Sequence, residues 1–363
     1  MTDSSRYGYD ADSLTALEAI TEAQKIAFAP MVFQAASSLC ELGVLDFLSG
    51  CRQGATQDEI CAQCSLDRYA AGVLLDLALS ARILYRQGEQ YHLGKIGHFL
   101  THDPMTRVNL HFTRDVCYQG LAELTTSLRE GRPAGLSGFG EGKTIYPLLG
   151  RLPQKARDSW FGFDHFYSDG AFKAALPRVF ALGPKHVYDV GGNTGKWALR
   201  CCEYDSDVQV TILDLPEQIA LARDNVAAHG MAGRIHLHAV DLLCDATLPG
   251  EADVWWMSQF LDCFSEAQIV AILCKTAAAM QPQARLCIME LFWDRQPYEA
   301  GAFSLNASSL YFTCLANGTS RFYGAEQFVA LVQQAGLEIE SQVDGLGVGH
   351  TLLVCRKAAS DFE

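Results

Sequence analysis

The segment DVGGNTGKW at residues 189–197 decides the fold class that this sequence predicts. It continues the apolar run at 187–190 and is followed by a helical pattern. Its glycines at 191, 192 and 195 leave out three Cβ atoms where the chain turns from strand to helix. Such a turn lets the backbone approach a ligand closely, so the segment predicts a binding loop between a strand and a helix.

Further strands follow this loop, separated by helical patterns, which predicts a parallel α/β sheet. The final two strands are an exception. The Gly-rich turn at 344–349 leaves no room for the helix of a parallel crossover, so this pair must be antiparallel. The predicted strands lie at 187–190, 208–213, 235–240, 254–259 and 285–290, with the final pair near 337–343 and 351–355.

The N-terminal part of the chain predicts a winged-helix domain. Helical patterns run through 13–48, 56–64 and 67–81, and the segment 82–93 alternates as a hairpin. DNA is the usual ligand of such a domain. The helix at 67–81 is largely apolar and holds a single Arg, however, so we expect a protein contact instead.

A helical region at 104–178 is predicted between this domain and the sheet. Its Gly-rich interruption at 131–142 predicts a surface loop, because glycines and prolines break helices and favour turns.

Composition excludes several classes of protein. With 363 residues and 49% hydrophobic content, the chain is long enough for two globular domains. The net charge of −14 argues against a nucleic-acid partner. No apolar run approaches the roughly 20 residues of a membrane span, and the polar residues 1–12 do not resemble a signal peptide, so we expect a cytoplasmic protein.

The thirteen cysteines predict reduced thiols, because their number is odd and they are scattered along the chain. Cys61 and Cys64 have the spacing of a zinc site, but no second pair accompanies them. We therefore expect no metal.

The glycine loop departs from the dinucleotide-binding pattern, because Asn193 stands where the second fingerprint glycine belongs. Asp189, at the end of the strand, would repel a pyrophosphate and would suit an ammonium group. Asp214, at the end of the next strand, is placed to accept hydrogen bonds from ribose hydroxyls. S-adenosylmethionine carries an ammonium group and a ribose but no phosphate.

Taken together, the motifs resemble those of the class I S-adenosylmethionine-dependent methyltransferases, and in particular the bacterial and plant O-methyltransferases of secondary metabolism that have an N-terminal winged-helix dimerisation domain. The resemblance covers nearly the whole chain. Besides the glycine loop it rests on AASSLCELGVLDFL (35–48), LDLPEQIALAR (213–223), HLHAVDLL (236–243), WWMSQFLDCFSEAQIVAIL (255–273), IMELF (288–292) and NGTSRFYGAEQFVALVQQAGLE (317–338).

The resemblance implies an α/β fold with a Rossmann-like methyltransferase sheet whose last strand is antiparallel, preceded by an all-α winged-helix dimerisation domain. It divides the chain into a dimerisation domain at 1–110, a helical linker and substrate-contacting region at 111–178, and a catalytic domain at 179–363. It also implies a homodimer.

The same resemblance assigns the cofactor contacts. The methionine part of S-adenosylmethionine would lie in the glycine loop, the ribose at Asp214 and the adenine near Asp241. Each aspartate alone could instead be a helix cap or a solvated charge at a strand end. The implied cofactor residues are Asp189, Gly191, Gly192, Asn193, Gly195, Asp214, Leu215, Asp241, Leu242 and Ser258, the last of which replaces a family lysine.

The catalytic loop departs from the family. Plant members have a His that removes the phenol proton, and here the position is occupied by Asp262. Of the two glutamates beside that His, the first matches Glu290 and the second falls on Ser320. Asp262 could act as the base if it is desolvated next to Glu290, because two close carboxylates raise one pKa. Alternatively, it simply caps the following helix.

Other residues are candidates for catalysis or for contact with the acceptor. Phe163 and Tyr167 align with family positions that contact the substrate and the sulfonium, and His165 lies between them. Trp293, Tyr311 and Phe312 could line an apolar acceptor pocket or belong to the core. The candidate catalytic residues are therefore Asp262, Glu290, His165 and Tyr167.

The sequence predicts a methyltransferase that acts on a hydroxyl group of a small, mainly apolar aromatic or polyene-like metabolite. Two alternatives stay open. One is C-methylation of an electron-rich ring, and the other is a cofactor-binding homologue or regulator without methyl transfer.

Overall fold

The computed structural model describes residues 7–245 and 247–358 and contains two compact units. One comprises residues 8–116 and 158–163, and the other comprises residues 117–157 and those from 164 onward, with Tyr7. Residues 1–6, which belong to the polar start considered above, lie outside the described residues, as do 246 and 359–363. The three-part division at 110 and 178 stays a prediction.

The N-terminal unit is helical and ends its core with a short hairpin, in the predicted order. Thr56 and Glu59 form the capping box that begins its fourth helix, and Asp67 caps the fifth. The elements are α1 (Ala16–Ala27), α2 (Ala29–Glu41), α3 (Val44–Gly50), α4 (Gln57–Cys64), α5 (Arg68–Ser80), β1 (Leu84–Gln87), β2 (Gln90–Leu93), α6 (Lys95–His102) and α7 (Pro104–Phe112).

The core of this unit is built from α2, α3, α4, α5 and the hairpin, where Leu39, Leu45, Ile60 and Leu75 are fully buried. None of the helices in the described part of the chain is alone long and apolar enough to cross a membrane. Only α2 and α3 taken together, with a 61° bend between them, have the length and the apolar composition of a membrane span.

A mixed helical region precedes the sheet. It contains a π-helical turn at Thr113–Cys117, 3₁₀ turns at Gly120–Glu123, Ala134–Gly138 and Tyr146–Arg151, and the helices α8 (Leu124–Glu130) and α9 (Gln154–Phe180).

The prediction of a surface loop at 131–142 is wrong for its central part, because residues 133–136 are buried. The reason is a close approach of two backbones. A Cβ on Gly135 would collide with the carbonyl of Gly120 and would lie 2.9 Å from the sulfur of Cys314. Glycine here allows tight packing rather than a flexible exposed turn.

Seven strands form the predicted sheet in the order β5-β4-β3-β6-β7-β9-β8. The first five are parallel, and β9 is antiparallel to both β7 and β8, as predicted. The elements are β3 (His186–Val190), α10 (Lys196–Tyr204), β4 (Gln209–Asp214), α11 (Pro216–Ala228), β5 (Ile235–Ala239), β6 (Val254–Ser258), α12 (Glu266–Ala279), β7 (Arg285–Glu290), α13 (Glu299–Tyr311), α14 (Ala325–Gln334), β8 (Leu337–Leu346) and β9 (His350–Lys357).

Both faces of the sheet are covered by helices, and successive residues of β6 show the alternation. Trp255 meets Tyr188 edge to face at 4.8 Å, whereas its neighbour Trp256 stacks on Trp197 at 3.9 Å. The strand order reverses between β3 and β6, and a parallel sheet forms its ligand crevice at such a point, beyond the carboxyl ends of the strands. The glycine loop and the segment after β6 both begin there.

Candidate active site

The glycine loop after β3 has a backbone that few side chains would permit. Gly191, Asn193 and Gly195 have φ values of 70°, 50° and 80°. Asparagine tolerates this left-handed region better than most residues, which explains how Asn193 replaces a glycine. A Cβ on Gly192 would lie 2.7 Å from a carboxylate oxygen of Asp189. The loop therefore folds tightly around that carboxylate.

Asp189 is buried in β3, with only 2% of its surface exposed. The backbone N–H of Ala198 in α10 acts on its carboxylate and works to lower its pKa. Its Oδ2 atom is buried and has no hydrogen-bond partner within residues 7–245 and 247–358. Burial, and then the nearby charge of Asp214, raise the pKa of Asp189 to about 8. A buried carboxylate oxygen without a partner is available to a cationic ligand group.

Asp214 lies at the end of β4 and is held by two backbone N–H groups. Leu215 donates to its Oδ1 at 2.7 Å and Asn193 donates to its Oδ2 at 2.8 Å. Burial raises the pKa of Asp214 to about 6. Because it is buried, Asp214 is not a solvated strand-end charge. Each oxygen keeps a free lone pair, so the carboxylate can still accept hydrogen bonds from ribose hydroxyls.

Asp241 stabilises the turn that follows β5. Its Oδ1 accepts hydrogen bonds from the backbone N–H groups of Leu243 and Cys244, at 2.9 and 3.2 Å. Partial burial works to raise the pKa of Asp241, but the Cys244 thiol, these two N–H groups and the charge of Lys275 outweigh it, and the pKa is lowered. Its neighbour Leu242 is buried.

Sequence analysis missed the side chain that holds this turn. The ammonium group of Lys275, on α12, donates hydrogen bonds to the carbonyls of Leu242, Leu243 and Asp245 at 2.9, 3.2 and 2.8 Å. The sequence separation of about thirty residues hides such a contact from any local pattern.

The loop after β6 is fixed at several backbone positions. The Oε1 atom of Glu290 accepts hydrogen bonds from the N–H groups of Phe260 and Leu261, at 3.1 and 2.9 Å. Asn317 donates to the carbonyl of Cys263, and Tyr323 donates to the carbonyl of Phe264, both at 2.7 Å. Asp262 lies between these anchors, so its backbone is held on both sides.

Asp262 is buried, with 5% of its surface exposed. The interpretation of Asp262 as a helix cap is wrong, because Ser265 caps α12 in a capping box with Gln268. Burial raises the pKa of Asp262 to about 7, a hydrogen bond with the Cys263 thiol opposes this increase, and the charge of Asp164 adds to it. A carboxylate with a pKa near neutrality can accept a proton far better than an ordinary aspartate.

Glu290 is buried, and its carboxyl group interacts with that of Asp262. Burial, and then the charge of Asp262, raise the pKa of Glu290 well above its usual value. Its Oε2 atom is buried and accepts no hydrogen bond from the described residues. Two close carboxyl groups lose their protons in separate steps that belong to the pair.

By the resemblance stated above, Ser258 stands at the position of a family lysine and Ser320 at that of a family glutamate. The hydroxyl of Ser258, at the end of β6, is buried without a partner in the described parts of the chain. The hydroxyl of Ser320 accepts a hydrogen bond from Asn317 at 2.7 Å. Ser320 therefore supports the residue that anchors the catalytic loop.

The remaining candidates are spread over several elements. Burial, the charge of Lys196 and the opposing charge of Asp169 leave the pKa of His165 lowered. Lys196 and Asp169 form an ion pair at 2.7 Å. Tyr167 is buried and lies edge to face with Phe166. Phe163 belongs to the N-terminal unit, where it stacks on Phe112 at 4.1 Å.

Of the three residues predicted for an apolar pocket, Tyr311 interacts indirectly with the catalytic loop, through Tyr146. Its hydroxyl acts electrostatically on that of Tyr146, which in turn interacts with the thiol of Cys263. Phe312 lies edge to face with Phe322 at 5.2 Å, and the backbone of Trp293 bonds to Tyr323. Tyr146 was not predicted from sequence, since no motif marks it.

The described residues hold no group of three or more His, Cys, Asp or Glu side chains arranged for a metal ion. The chemistry of the site fits S-adenosylmethionine instead. The glycine loop supplies a close-packed backbone, Asp189 presents an oxygen without a partner, and Asp214 offers a fixed carboxylate acceptor.

Known proteins resemble the chain in both of its parts. Residues 21–91 match the Dimerisation2-like domain, and residues 172–338 match the O-methyltransferase domain. The chain is 23% identical to L-tyrosine C(3)-methyltransferase of Streptomyces lavendulae over 320 residues, which cover 87% of this chain and 86% of that protein. It is 33% identical to 3-hydroxy-5-methyl-1-naphthoate 3-O-methyltransferase of Streptomyces sahachiroi over 150 residues, or 40% and 43% of the two chains.

The fold also matches solved structures. The S-adenosylmethionine-dependent methyltransferase SibL, in its apo form, aligns with a TM-score of 0.71 and 23% identity, covering 92% of this chain and 98% of that one. The antiparallel end of the sheet and the helical N-terminal unit agree with this likeness. With a Dimerisation2-like domain followed by an O-methyltransferase domain, the chain belongs to the S-adenosylmethionine-dependent O-methyltransferase family.

Proposed function

We propose that this enzyme methylates a hydroxyl group of a small, mainly apolar aromatic or polyene-like metabolite, with Asp262 as the general base. One observation carries the proposal. Asp262 occupies the position of the family's catalytic His, and burial gives it a pKa of about 7 on a loop whose backbone is anchored on both sides. A base whose pKa lies near the working pH is the most effective one for a proton transfer.

We infer a separate role in the reaction for the cofactor, for Asp262 and for Glu290. When bound, S-adenosylmethionine would supply a methyl group on a positively charged sulfur, and the carbon–sulfur bond would break as the acceptor attacks the methyl carbon in line, leaving the electron pair on sulfur. Asp262 takes the proton of the acceptor hydroxyl, so that the oxygen electron pair forms the new bond to carbon. Glu290 stays protonated and holds the backbone of Phe260 and Leu261. Asp262 then releases its proton to solvent.

The cofactor assignments are part of the same proposal. The Oδ2 atom of Asp189 would receive the ammonium group, and the carboxylate of Asp214 would receive the ribose hydroxyls. Leu215 would hold the ribose together with Asp214, and the turn at Asp241 and Leu242 would flank the adenine. Ser258 would contact the cofactor in place of the family's lysine. Its buried hydroxyl without a partner supports this assignment.

The test is turnover with a panel of phenols, catechols and hydroxylated polyenes, followed by mass spectrometry of both products. We expect S-adenosylhomocysteine and an acceptor heavier by one methyl group to form in equal amounts. Ligands that co-purify with the protein should guide the choice of panel. Binding of S-adenosylmethionine without any turnover on a broad panel would favour the alternative of a homologue without methyl transfer.

C-methylation is a second candidate, favoured by the similarity to L-tyrosine C(3)-methyltransferase. A deprotonated phenol can attack through its ortho carbon as well as through oxygen, and Asp262 would serve as the base in both cases. The ring carbon then loses its proton to restore aromaticity. Proton NMR of the purified product distinguishes the two, since a methyl on oxygen and a methyl on an aromatic ring have different chemical shifts.

We also propose that the enzyme is a homodimer in the cytoplasm. The Dimerisation2-like domain supports the dimer, as does α1, which has no buried residue. All thirteen cysteines, which lie within the described residues, are free thiols. This state suits a reducing compartment.

A further inference from the structure

A second carboxylate, Asp164 on α9, stands between the cofactor loop and the catalytic loop. Its Oδ2 atom lies 3.5 Å from the side-chain nitrogen of Asn193 in the glycine loop. Its charge also acts on Asp262 and raises the pKa of that residue. Asp164 therefore interacts with one residue of each loop.

The charges around Asp164 neutralise its negative charge only in part. The cation that acts on Asp164 is Lys196, which forms an ion pair with Asp169 at 2.7 Å. Burial, and then the charge of Asp169, raise the pKa of Asp164 to about 7, and Lys196 opposes this only in part. The groups that face Asp262 from the surrounding elements are Cys263, Glu290, Tyr146 and Tyr323, and none of them is a cation.

We propose that Asp164 is a positioning residue of this active site, whose negative charge keeps Asp262 ready to accept a proton and whose carboxylate orients Asn193. The proposal rests on the function proposed above. It explains how an aspartate can replace an imidazole: one carboxylate contacts the acceptor, and a second one nearby strengthens it as a base. Repulsion between like charges is the physical cause, because it makes protonation of either group more favourable.

Loss of the Asp164 charge should shift the pH dependence of kcat/KM toward lower pH. The reaction needs ionised Asp262, so kcat/KM rises with pH through the pKa of that residue. Loss of the charge on Asp164 lowers this pKa and moves the rising limb to lower pH. The plateau rate should fall by roughly threefold, because a weaker base transfers the proton less effectively. A merely structural role would lower the rate equally at every pH.

The experiment is the pH profile of kcat/KM for Asp164→Asn, which removes the charge and keeps the size. Asp158→Asn, the same change at an exposed position on α9, is the matched control. Asp164→Glu keeps the charge, so the rising limb of its pH profile should lie at the same pH as that of wild type. Infrared titration of the carboxyl band should show the same displacement as the kinetics without turnover. If Asp164→Asn does not fold, Asp164→Ser takes its place.

Asn193→Gly separates the two roles of Asp164. It removes the amide but keeps the backbone donor and a residue suited to positive φ. Calorimetry with S-adenosylhomocysteine should show weaker binding by this variant, with the pH limb unmoved. The proposal would be overturned if the rising limb of the pH profile of kcat/KM did not move in Asp164→Asn. It would also be overturned if that limb moved equally in Asn193→Gly. Failure of the proposed function looks different, because the limb would then survive in Asp262→Asn or wild type would form no product.

Discussion

Asp262 illustrates how its surroundings can convert an ordinary residue into a catalytic candidate. Aspartate in water has a pKa of about 4, too low to remove a phenol proton efficiently. Burial, and then the charge of Asp164, raise the pKa of Asp262 to about 7. On the function proposed above, burial and the charge of Asp164 would compensate for the missing imidazole.

The first prediction concerns this residue. Asp262→Asn keeps the size and most hydrogen bonds but cannot accept a proton, so the rate should fall by about 10² to 10⁴. The affinity for S-adenosylhomocysteine, measured by calorimetry, should stay nearly the same. Glu266→Gln, at an exposed position close by in the chain, is the control and should keep wild-type activity. Wild-type turnover by Asp262→Asn at all pH values would remove it from the catalytic residues and direct attention to His165 and Tyr167.

The second prediction concerns the pH dependence of cofactor binding. Without ligand, Asp189 has a pKa of about 8 and is mostly protonated at neutral pH. A cationic ammonium group favours the ionised form, so binding should release a proton. The affinity for S-adenosylmethionine should therefore rise as pH increases toward about 8 and level off above it. Calorimetry in buffers of different ionisation enthalpy measures the released proton. Asp189→Asn should abolish this release, and a release that persists in the variant would contradict the assignment.

The third prediction concerns the ribose. Asp214→Ala removes a carboxylate acceptor, and hydrogen bonds to a charged group contribute about 1.5 to 3 kcal/mol, so affinity should fall by roughly tenfold or more. Asp207→Asn, an exposed aspartate before β4, serves as the control. NAD should not bind to wild type. Equal calorimetric affinities of Asp214→Ala and wild type for the cofactor would exclude the ribose contact.

At the scale of elements, the predictable features were those with local causes. The strands follow from runs of apolar residues, and the antiparallel final pair follows from a connection too short for a helix. The cap of α12 was not predicted: Asp262 was considered for that role, whereas Ser265 and Gln268 form the capping box. Contacts between distant segments were not readable. Asp164 reaches Asn193 and Gly135 packs on Gly120 only because the fold brings them together.

Lys275 gives the fourth prediction, since it fixes an entire turn from α12. Lys275→Met keeps the aliphatic stem and leaves three carbonyls without their charged donor. We expect the affinity for S-adenosylhomocysteine to fall about threefold to tenfold, because the turn at 241–245 loses its support. Lys173→Met, at an exposed position of α9, should bind normally. An unchanged affinity in Lys275→Met would show that the turn does not depend on this lysine for cofactor binding.

The whole molecule gives the last prediction, which concerns assembly. The capping box of Thr15 and Glu18 stabilises α1, yet none of its residues is buried. Leu17, Ile20 and Ile26 are exposed by 80%, 60% and 75%. Exposed apolar side chains of this kind are costly in water and are typical of an interface. Because α1 begins just before the matched Dimerisation2-like region, we expect a second copy of the chain to cover it.

Light scattering at micromolar concentration should therefore show a dimer. Replacement of Leu17 and Ile20 by Glu places two charges among the exposed apolar side chains of α1 and should produce monomers, since a charge without a partner is expensive to bury in an interface. Leu221→Glu, on α11, is an equally polar change at a half-exposed position outside this unit and should leave the dimer intact. A wild-type chain that is a stable monomer and turns over normally would contradict the prediction. A monomeric double variant that still binds S-adenosylhomocysteine would show that the cofactor site is complete within one chain.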